Sequence, residues 1–341
     1  MTNILRTLTR YEKLWLRAFS SQLLMGNFNH YVFQHAAQLV NPSVKPPLPI
    51  MAQIEPTNVC NLDCQFCSRR IIRKERLGTL SFENFRKMID QIPSLLFVAL
   101  TGLGEPMLNK DLTGMAQYLK LKGISSMVAT NCTEIQNTPT NTLKKLFYFD
   151  RICISLDAAT KKVYEKIRIG ADFKQTINNI RILKNLKEKI NCNTDISINC
   201  VVCKINQNEM SKIIELANDL KIDEINFTSV RQWVGMLRPE EHKRLSNISL
   251  GRKSLESLEA DLKIKFNEWA GPDRCRLPFI STYITWDGYV TPCCMRDAEL
   301  FHFGNIFESD FKTIWNSGKF QSFRLALKTR KIPFICQSCP S

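Results

Sequence analysis

Residues 60–67 read Cys-Asn-Leu-Asp-Cys-Gln-Phe-Cys, three thiols within eight positions of a chain of 341. The stretch follows an apolar run, Ile50–Glu55, that reads as a strand, so the thiols fall on a loop at a strand end. Three thiolates on one face of a loop suit three corners of an iron–sulfur cubane. Zinc is the rival, but structural zinc takes four ligands and no fourth Cys or His lies nearby. A cluster held by three cysteines leaves one iron open, which is useful only if something else must coordinate it.

Outward from this loop, short apolar runs alternate with amphipathic stretches. Leu96–Leu100, Ser126–Thr130, Arg151–Leu156, Asp195–Val202 and Glu224–Ser229 read as five further strands. Helical spacing occupies 82–92, 111–122, 140–148, 160–168, 173–189 and 207–220. Alternation of this kind implies right-handed βαβ units around a parallel sheet. Six units predict an α/β fold, a partial (β/α)6 TIM-like barrel over residues 49–235. Residues 236–272 are charged and weakly patterned, a connector with helical content. From 273 to 341 the chain is aromatic and cysteine-bearing, and Tyr283–Trp286 and Tyr289–Thr291 bracket Asp287-Gly288 as a two-residue hairpin loop would. This predicts a small, ligand-stapled C-terminal domain.

Upstream, residues 1–48 form a basic amphipathic helical region. Ile4, Leu8, Tyr11, Trp15 and Phe19 share one face over 3–24, with Arg6, Arg10, Lys13 and Arg17 opposite. Such a helix either docks as a lid or meets an anionic membrane surface. The net charge of +15 permits an acidic partner without naming one, although nucleic acid is not expected. There is no secretory signal and no apolar run long enough to span a bilayer. A cytoplasmic setting is expected, peripheral to a membrane at most, where 13 cysteines read as metal ligands or small apolar residues rather than disulfides.

The Cx3Cx2C spacing, its place after the first barrel strand and the aromatic Phe66 resemble the signature of the radical S-adenosylmethionine (SAM) superfamily. The resemblance implies that Cys60, Cys64 and Cys67 hold a [4Fe–4S] cluster whose open iron binds SAM. Reductive cleavage of SAM then gives a 5′-deoxyadenosyl radical that abstracts a substrate hydrogen. It also implies SAM contacts along the chain. Gly102, Gly104 and Glu105 in Thr101–Pro106 resemble the glycine-rich segment for the methionyl ammonium, and Thr130-Asn131 the family's Thr-Asn element. Ser155 and Asp157 end the fourth strand where relatives contact SAM, and Arg168 in Tyr164–Arg168 is the implied carboxylate partner. Asn199 and Cys203 fall on a later cofactor-contacting strand, with cysteine in place of the usual methionine. A flavodoxin- or ferredoxin-type protein is the implied electron donor.

Cys275, Asp287-Gly288 and Cys293, with Gly304-Asn305-Ile306 and Ile314-Trp315, resemble the family's SPASM extension in a shortened, twitch-like form. Cys275, Cys293, Cys336 and Cys339 would then hold an auxiliary [4Fe–4S] cluster, with Cys294 competing with Cys293 and a Zn(Cys)4 site as the alternative. An auxiliary cluster implies an oxidoreductase acting on a sugar- or cyclitol-like small molecule or on a peptide. The short N-terminal region lacks room for a leader-binding winged helix and points to a small molecule. The competing readings are an epimerase with Cys132, Cys203 or Cys294 as hydrogen-atom donor, and a non-catalytic cluster protein at a membrane or nucleic acid.

Overall fold

The computed structural model describes residues 38, 41–71, 74–230, 239–262, 275–294 and 301–337. The segment 3–24 and Cys339 lie outside them. Six parallel strands form the body of the sheet: β1 (Met51–Ile54), β2 (Phe97–Leu100), β3 (Ser125–Thr130), β4 (Arg151–Ser155), β5 (Asp195–Val202) and β6 (Glu224–Ser229). In β2 all four residues, Phe-Val-Ala-Leu, are buried. A parallel strand covered on both faces needs such a continuous apolar run.

The covering helices are α1 (Phe82–Asp90), α2 (Leu112–Leu121), α3 (Thr140–Leu146), α4 (Lys161–Ile167), α5 (Phe173–Ile190) and α6 (Met210–Asp219). Their starts follow from short polar side chains. Ser81 accepts the Asn84 N–H at 3.2 Å, and Asp172 accepts the Gln175 N–H at 2.7 Å, each satisfying an otherwise unpaired first-turn donor. Asn191 ends α5 in the left-handed region, φ 48°, which asparagine tolerates. The connector is two helices, α7 (Pro239–Ile248) and α8 (Arg252–Leu262).

The C-terminal segment continues the barrel sheet. After a single turn, α9 (Leu277–Ile280), strand β7 (Ser281–Ile284) pairs parallel with the outer edge of β1, Met51 opposite Ser281 and Ile54 opposite Ile284. Strands β8 (Tyr289–Thr291) and β9 (Gly304–Asn305) follow antiparallel, giving the order β6-β5-β4-β3-β2-β1-β7-β8-β9. The expected two-residue hairpin loop is corrected to a longer one. Gly288 N–H bonds the Thr285 carbonyl at 3.0 Å, Thr285 N–H bonds the Tyr289 carbonyl at 3.0 Å, and Gly288 sits at φ 94°. That is a three-residue loop, a tight turn followed by a left-handed bulge glycine. A hydrogen bond from Thr285 Oγ1 to Asp287 at 2.5 Å draws the loop in.

Helices α10 (Phe311–Trp315) and α11 (Gly318–Lys328) follow, packed around a buried cation. Arg324 is stacked between Trp315 and Phe320, 4.0 and 3.8 Å from the ring centroids. It donates to the carbonyls of Pro278, Trp315 and Val44. Burial lowers its pKa to about 9. This clamp ties the last helix to α9 and to the segment entering β1.

Candidate functional site

A cavity of about 290 Å³ opens at the C-terminal ends of the parallel strands, the face on which barrel enzymes build active sites. Cys60, Cys64 and Cys67 all line it. So do Phe66, Gly102, Gly104, Glu105, Thr130, Asn131, Ser155, Arg168 and Asn199, drawn from six separate stretches of sequence.

The cysteine loop is held in place at three levels. At its base, Leu80 N–H bonds the Pro56 carbonyl at 2.9 Å, and Asn58 bridges the Arg76 carbonyl and the Gly78 N–H. Along its length it lies antiparallel against the exit from α4. Asp63 N–H bonds the Ile169 carbonyl at 2.9 Å, and Gln65 N–H bonds the Ile167 carbonyl at 2.8 Å. On its outer side Arg70 pairs with Asp63 at 2.6 Å and Arg69 donates to the Leu62 carbonyl at 3.0 Å. The Arg69 N–H also points at Cys67 Sγ, 3.5 Å away.

The glycines of Thr101–Pro106 are required by this loop as well as by any ligand. A Cβ on Gly104 would lie 2.4 Å from the carbonyl oxygens of Thr57 and Val59, and one on Gly102 would strike Glu55 Cγ at 2.4 Å. Without side chains the segment stacks on residues 55–59, with Glu105 N–H on the Val59 carbonyl at 2.8 Å. Glu105 is buried, and burial raises its pKa despite three hydrogen bonds. Its carboxylate accepts from Thr130 Oγ1, Asn131 N–H and Met107 N–H at 2.7, 2.6 and 3.0 Å. Asn131 in turn donates to Asn61 in the cysteine loop at 2.9 Å, and Asn61 donates to Thr133 and Glu134. Much of the polar capacity of Glu105, Thr130 and Asn131 is thereby spent on shaping the loop.

Arg168 caps α4 and ion-pairs through Nε with Asp157 Oδ2 at 2.5 Å, while Nη1 lies 3.8 Å from Cys64 Sγ. Burial opposes its charge, but Asp157 and Cys64 outweigh that effect and its pKa is raised. Burial pushes the Cys64 thiol up to about 12 and raises that of Cys60. Three thiols lining one cavity, with a buried cation beside one of them, are a donor set that fits an iron–sulfur cluster.

Three expected residues do not reach the cavity. Asp157 is fully buried behind Arg168, its other oxygen accepting the Val201 N–H at 2.7 Å. Cys203 is buried with Ile167, Val230 and Leu245, a cluster against which Phe66 packs. Cys132 points into the main core at φ 63°, where burial raises its thiol pKa. Neither thiol is among the residues that line the cavity. Cys275, Cys293, Cys294 and Cys336 are half-buried in the C-terminal region. Residues the sequence pattern did not single out also line the cavity: Leu62, Val201, Thr228, Ser229 and Val230. Glu55, fully enclosed just upstream of the loop, was missed as well. The polar Thr228-Ser229 pair ending β6 is the one signal that could have flagged this wall.

Two family models match the chain: the radical SAM superfamily over residues 54–220 and the iron–sulfur cluster-binding SPASM domain over 275–340. Among curated proteins, it is 23% identical over 321 residues to the tungsten-containing aldehyde ferredoxin oxidoreductase cofactor-modifying protein of Pyrococcus furiosus, covering 84% of this chain and 86% of that one. It is 25% identical over 281 residues to the antilisterial bacteriocin subtilosin biosynthesis protein AlbA of Bacillus subtilis, covering 80% of this chain and 60% of AlbA. Among solved structures, Streptococcus suis SuiB bound to its precursor peptide SuiA superposes with a TM-score of 0.62 at 16% identity, over 92% of this chain and 79% of SuiB. The chain belongs to the radical SAM superfamily and is an enzyme of it with a C-terminal SPASM domain; its cofactors are SAM, a SAM-binding [4Fe–4S] cluster and an auxiliary iron–sulfur cluster.

Proposed function

We propose, with that membership as the premise, that the protein is a radical SAM oxidoreductase acting on a peptide. In this reading Cys60, Cys64 and Cys67 hold the SAM-binding cluster, and Cys275, Cys293, Cys336 and Cys339 hold the auxiliary one. The observation that carries it is the cavity at the strand ends, which gathers three thiols, a glycine-rich segment and a ring of polar side chains. When bound, the cluster and SAM supply one-electron chemistry that ends in abstraction of a substrate hydrogen atom.

The chain's own residues prepare the place for it. The loop brings three thiols to the cavity, and these would hold the cluster. The backbone of Gly102–Glu105, with Ser155 and Asn199, offers polar atoms at the strand ends where an amino acid head group fits. Leu62, Phe66, Val201 and Val230 supply apolar wall that keeps water from the reacting atoms. Cys275, Cys293, Cys336 and Cys339 would hold the auxiliary cluster, which would supply an acceptor for an electron from the substrate, with a flavodoxin- or ferredoxin-type protein as the external donor to the SAM-binding cluster. That chemistry belongs in a reducing cytoplasm. Among the described residues no helix is long and apolar enough to cross a membrane.

The substrate class rests on the relatives. AlbA is named for bacteriocin biosynthesis, and SuiB was solved with a precursor peptide. This favours a peptide over the small molecule suggested by the short N-terminal region.

Anaerobic reconstitution with iron and sulfide tests the reading. About eight irons per chain are expected for two cubanes, with SAM cleaved to 5′-deoxyadenosine under a strong reductant. Cleavage is expected to vanish in each of C60A, C64A and C67A. Four irons accompanied by bound zinc would overturn the auxiliary cluster, and cleavage surviving the three substitutions would overturn the site. Incubation with candidate precursor peptides, read by mass spectrometry as loss of hydrogen, tests the substrate.

A further inference from the structure

Arg168 is directed toward the protein as much as toward the cavity. The two rungs that bind the cysteine loop to the exit from α4, Asp63 to Ile169 and Gln65 to Ile167, place Arg168 directly opposite Cys64. Opposed residues of an antiparallel pair project to the same face, and Nη1 of Arg168 lies 3.8 Å from Cys64 Sγ. The guanidinium cannot swing freely. Its Nε is held at 2.5 Å by Asp157, whose second oxygen is fixed at 2.7 Å by the β5 backbone at Val201. Asp157 is 0% and Arg168 6% exposed, so water screens this charge little.

We propose that Arg168, aimed by Asp157, acts on the SAM-binding cluster through Cys64 as a positioning residue: it stabilises the reduced cluster and raises its reduction potential, apart from any contact with SAM. The inference rests on the reading of Cys64 as a ligand. Three thiolates give the loaded site negative charge, and the incoming electron adds to it. A fixed cation and an N–H···S contact at one ligand sulfur offset that added charge, as outer-shell hydrogen bonds do in iron–sulfur proteins generally. Asp157 engages Nε and Cys64 Sγ faces Nη1, so a different nitrogen of the guanidinium meets each.

The test uses the reconstituted full-length protein without SAM, its midpoint potential read by redox titration followed by electron paramagnetic resonance. R168Q and the charge-neutral double variant D157N/R168Q are both expected to move the midpoint to more negative values. The reduced-to-oxidised ratio at fixed poise should fall about tenfold, equivalent to ~59 mV for one electron. R168K keeps the charge but not the planar fork, should load its cluster normally and is expected to recover part of the shift. Midpoints unmoved in R168Q, the double variant and R168K, with SAM affinity alone reduced, would overturn the proposal. C64A separates the premise from the inference: a full iron complement and an unchanged cluster spectrum in C64A would show that Cys64 is not a ligand.

Discussion

Glu55 directly follows β1 in a fully enclosed position, 3% exposed, with partners brought from far along the chain. Its carboxylate accepts the Leu103 N–H at 2.9 Å, and Tyr283 and the Trp286 backbone also hydrogen-bond to it. Burial outweighs those bonds and raises its pKa from 4.5 to about 7. The folded state therefore holds a proton that the unfolded chain releases near 4.5. The stability this contributes is complete below that value and is lost as pH rises to about 7, a change on the order of 3 kcal/mol. E55Q, which keeps an acceptor but cannot ionise, is expected to flatten this part of the stability curve. Denaturant melts between pH 4.5 and 8 check it, and a slope equal to that of the unsubstituted protein would refute it. Nothing local marks Glu55 in the sequence, because its importance comes from residues near 103 and 283. Glu105, Thr130 and Asn131 were legible because each lies in a short motif beside a strand end. What the motifs did not disclose is that these three bond one another and, through Asn131, the cysteine loop.

Among the elements, the hairpin of β7 and β8 shows where sequence pattern reaches and where it stops. Asp287-Gly288 marked a turn, and a turn is there, but Thr285 lengthens the loop by closing the bulge with its own backbone. Gly288 combines a left-handed φ of 94° with crowding: a Cβ would lie 2.5 Å from Phe307 Cδ2 and 2.6 Å from Asn305 Oδ1. G288A is expected to cost about 1–3 kcal/mol and to loosen the strands that lead into Cys293. Its iron content should fall toward half while 5′-deoxyadenosine formation persists, as iron assay and SAM turnover on one sample would show. Full iron loading in G288A would mean that the hairpin does not shape the auxiliary site. The six barrel strands were readable because apolar runs set strands by local pattern. The cavity wall at Thr228 and Ser229 was not, since which face of β6 meets the cavity depends on how far the sheet curls. The same limit applies to Cys132 and Cys203, whose direction from the backbone no motif records.

Across the whole molecule, the barrel and the C-terminal region share one sheet. β1 lies between β2 and β7, so the strand that leads into the cysteine loop is completed by residues 281–284. Trp286, just beyond β7, also lies against Gly78, where a Cβ would meet its ring at 2.1 Å. A chain ending after Leu262 would leave the outer edge of Met51–Ile54 unpaired and part of the core uncovered. It is expected to aggregate rather than yield half an enzyme, because a bare apolar strand edge invites pairing between molecules. Sedimentation of the truncated protein checks this, and a soluble monomer that cleaves SAM would contradict it.

The position of β7 also sets an order of events during synthesis. On the ribosome β1 emerges before β2, its inner neighbour, while its outer neighbour waits until residues 281–284 have been translated. Long-range parallel pairing of this kind forms slowly, and during the wait the nascent strand is a natural client for chaperones. Premature termination before residue 281 would therefore send the product to quality control, so cells should contain either the sealed protein or very little of it.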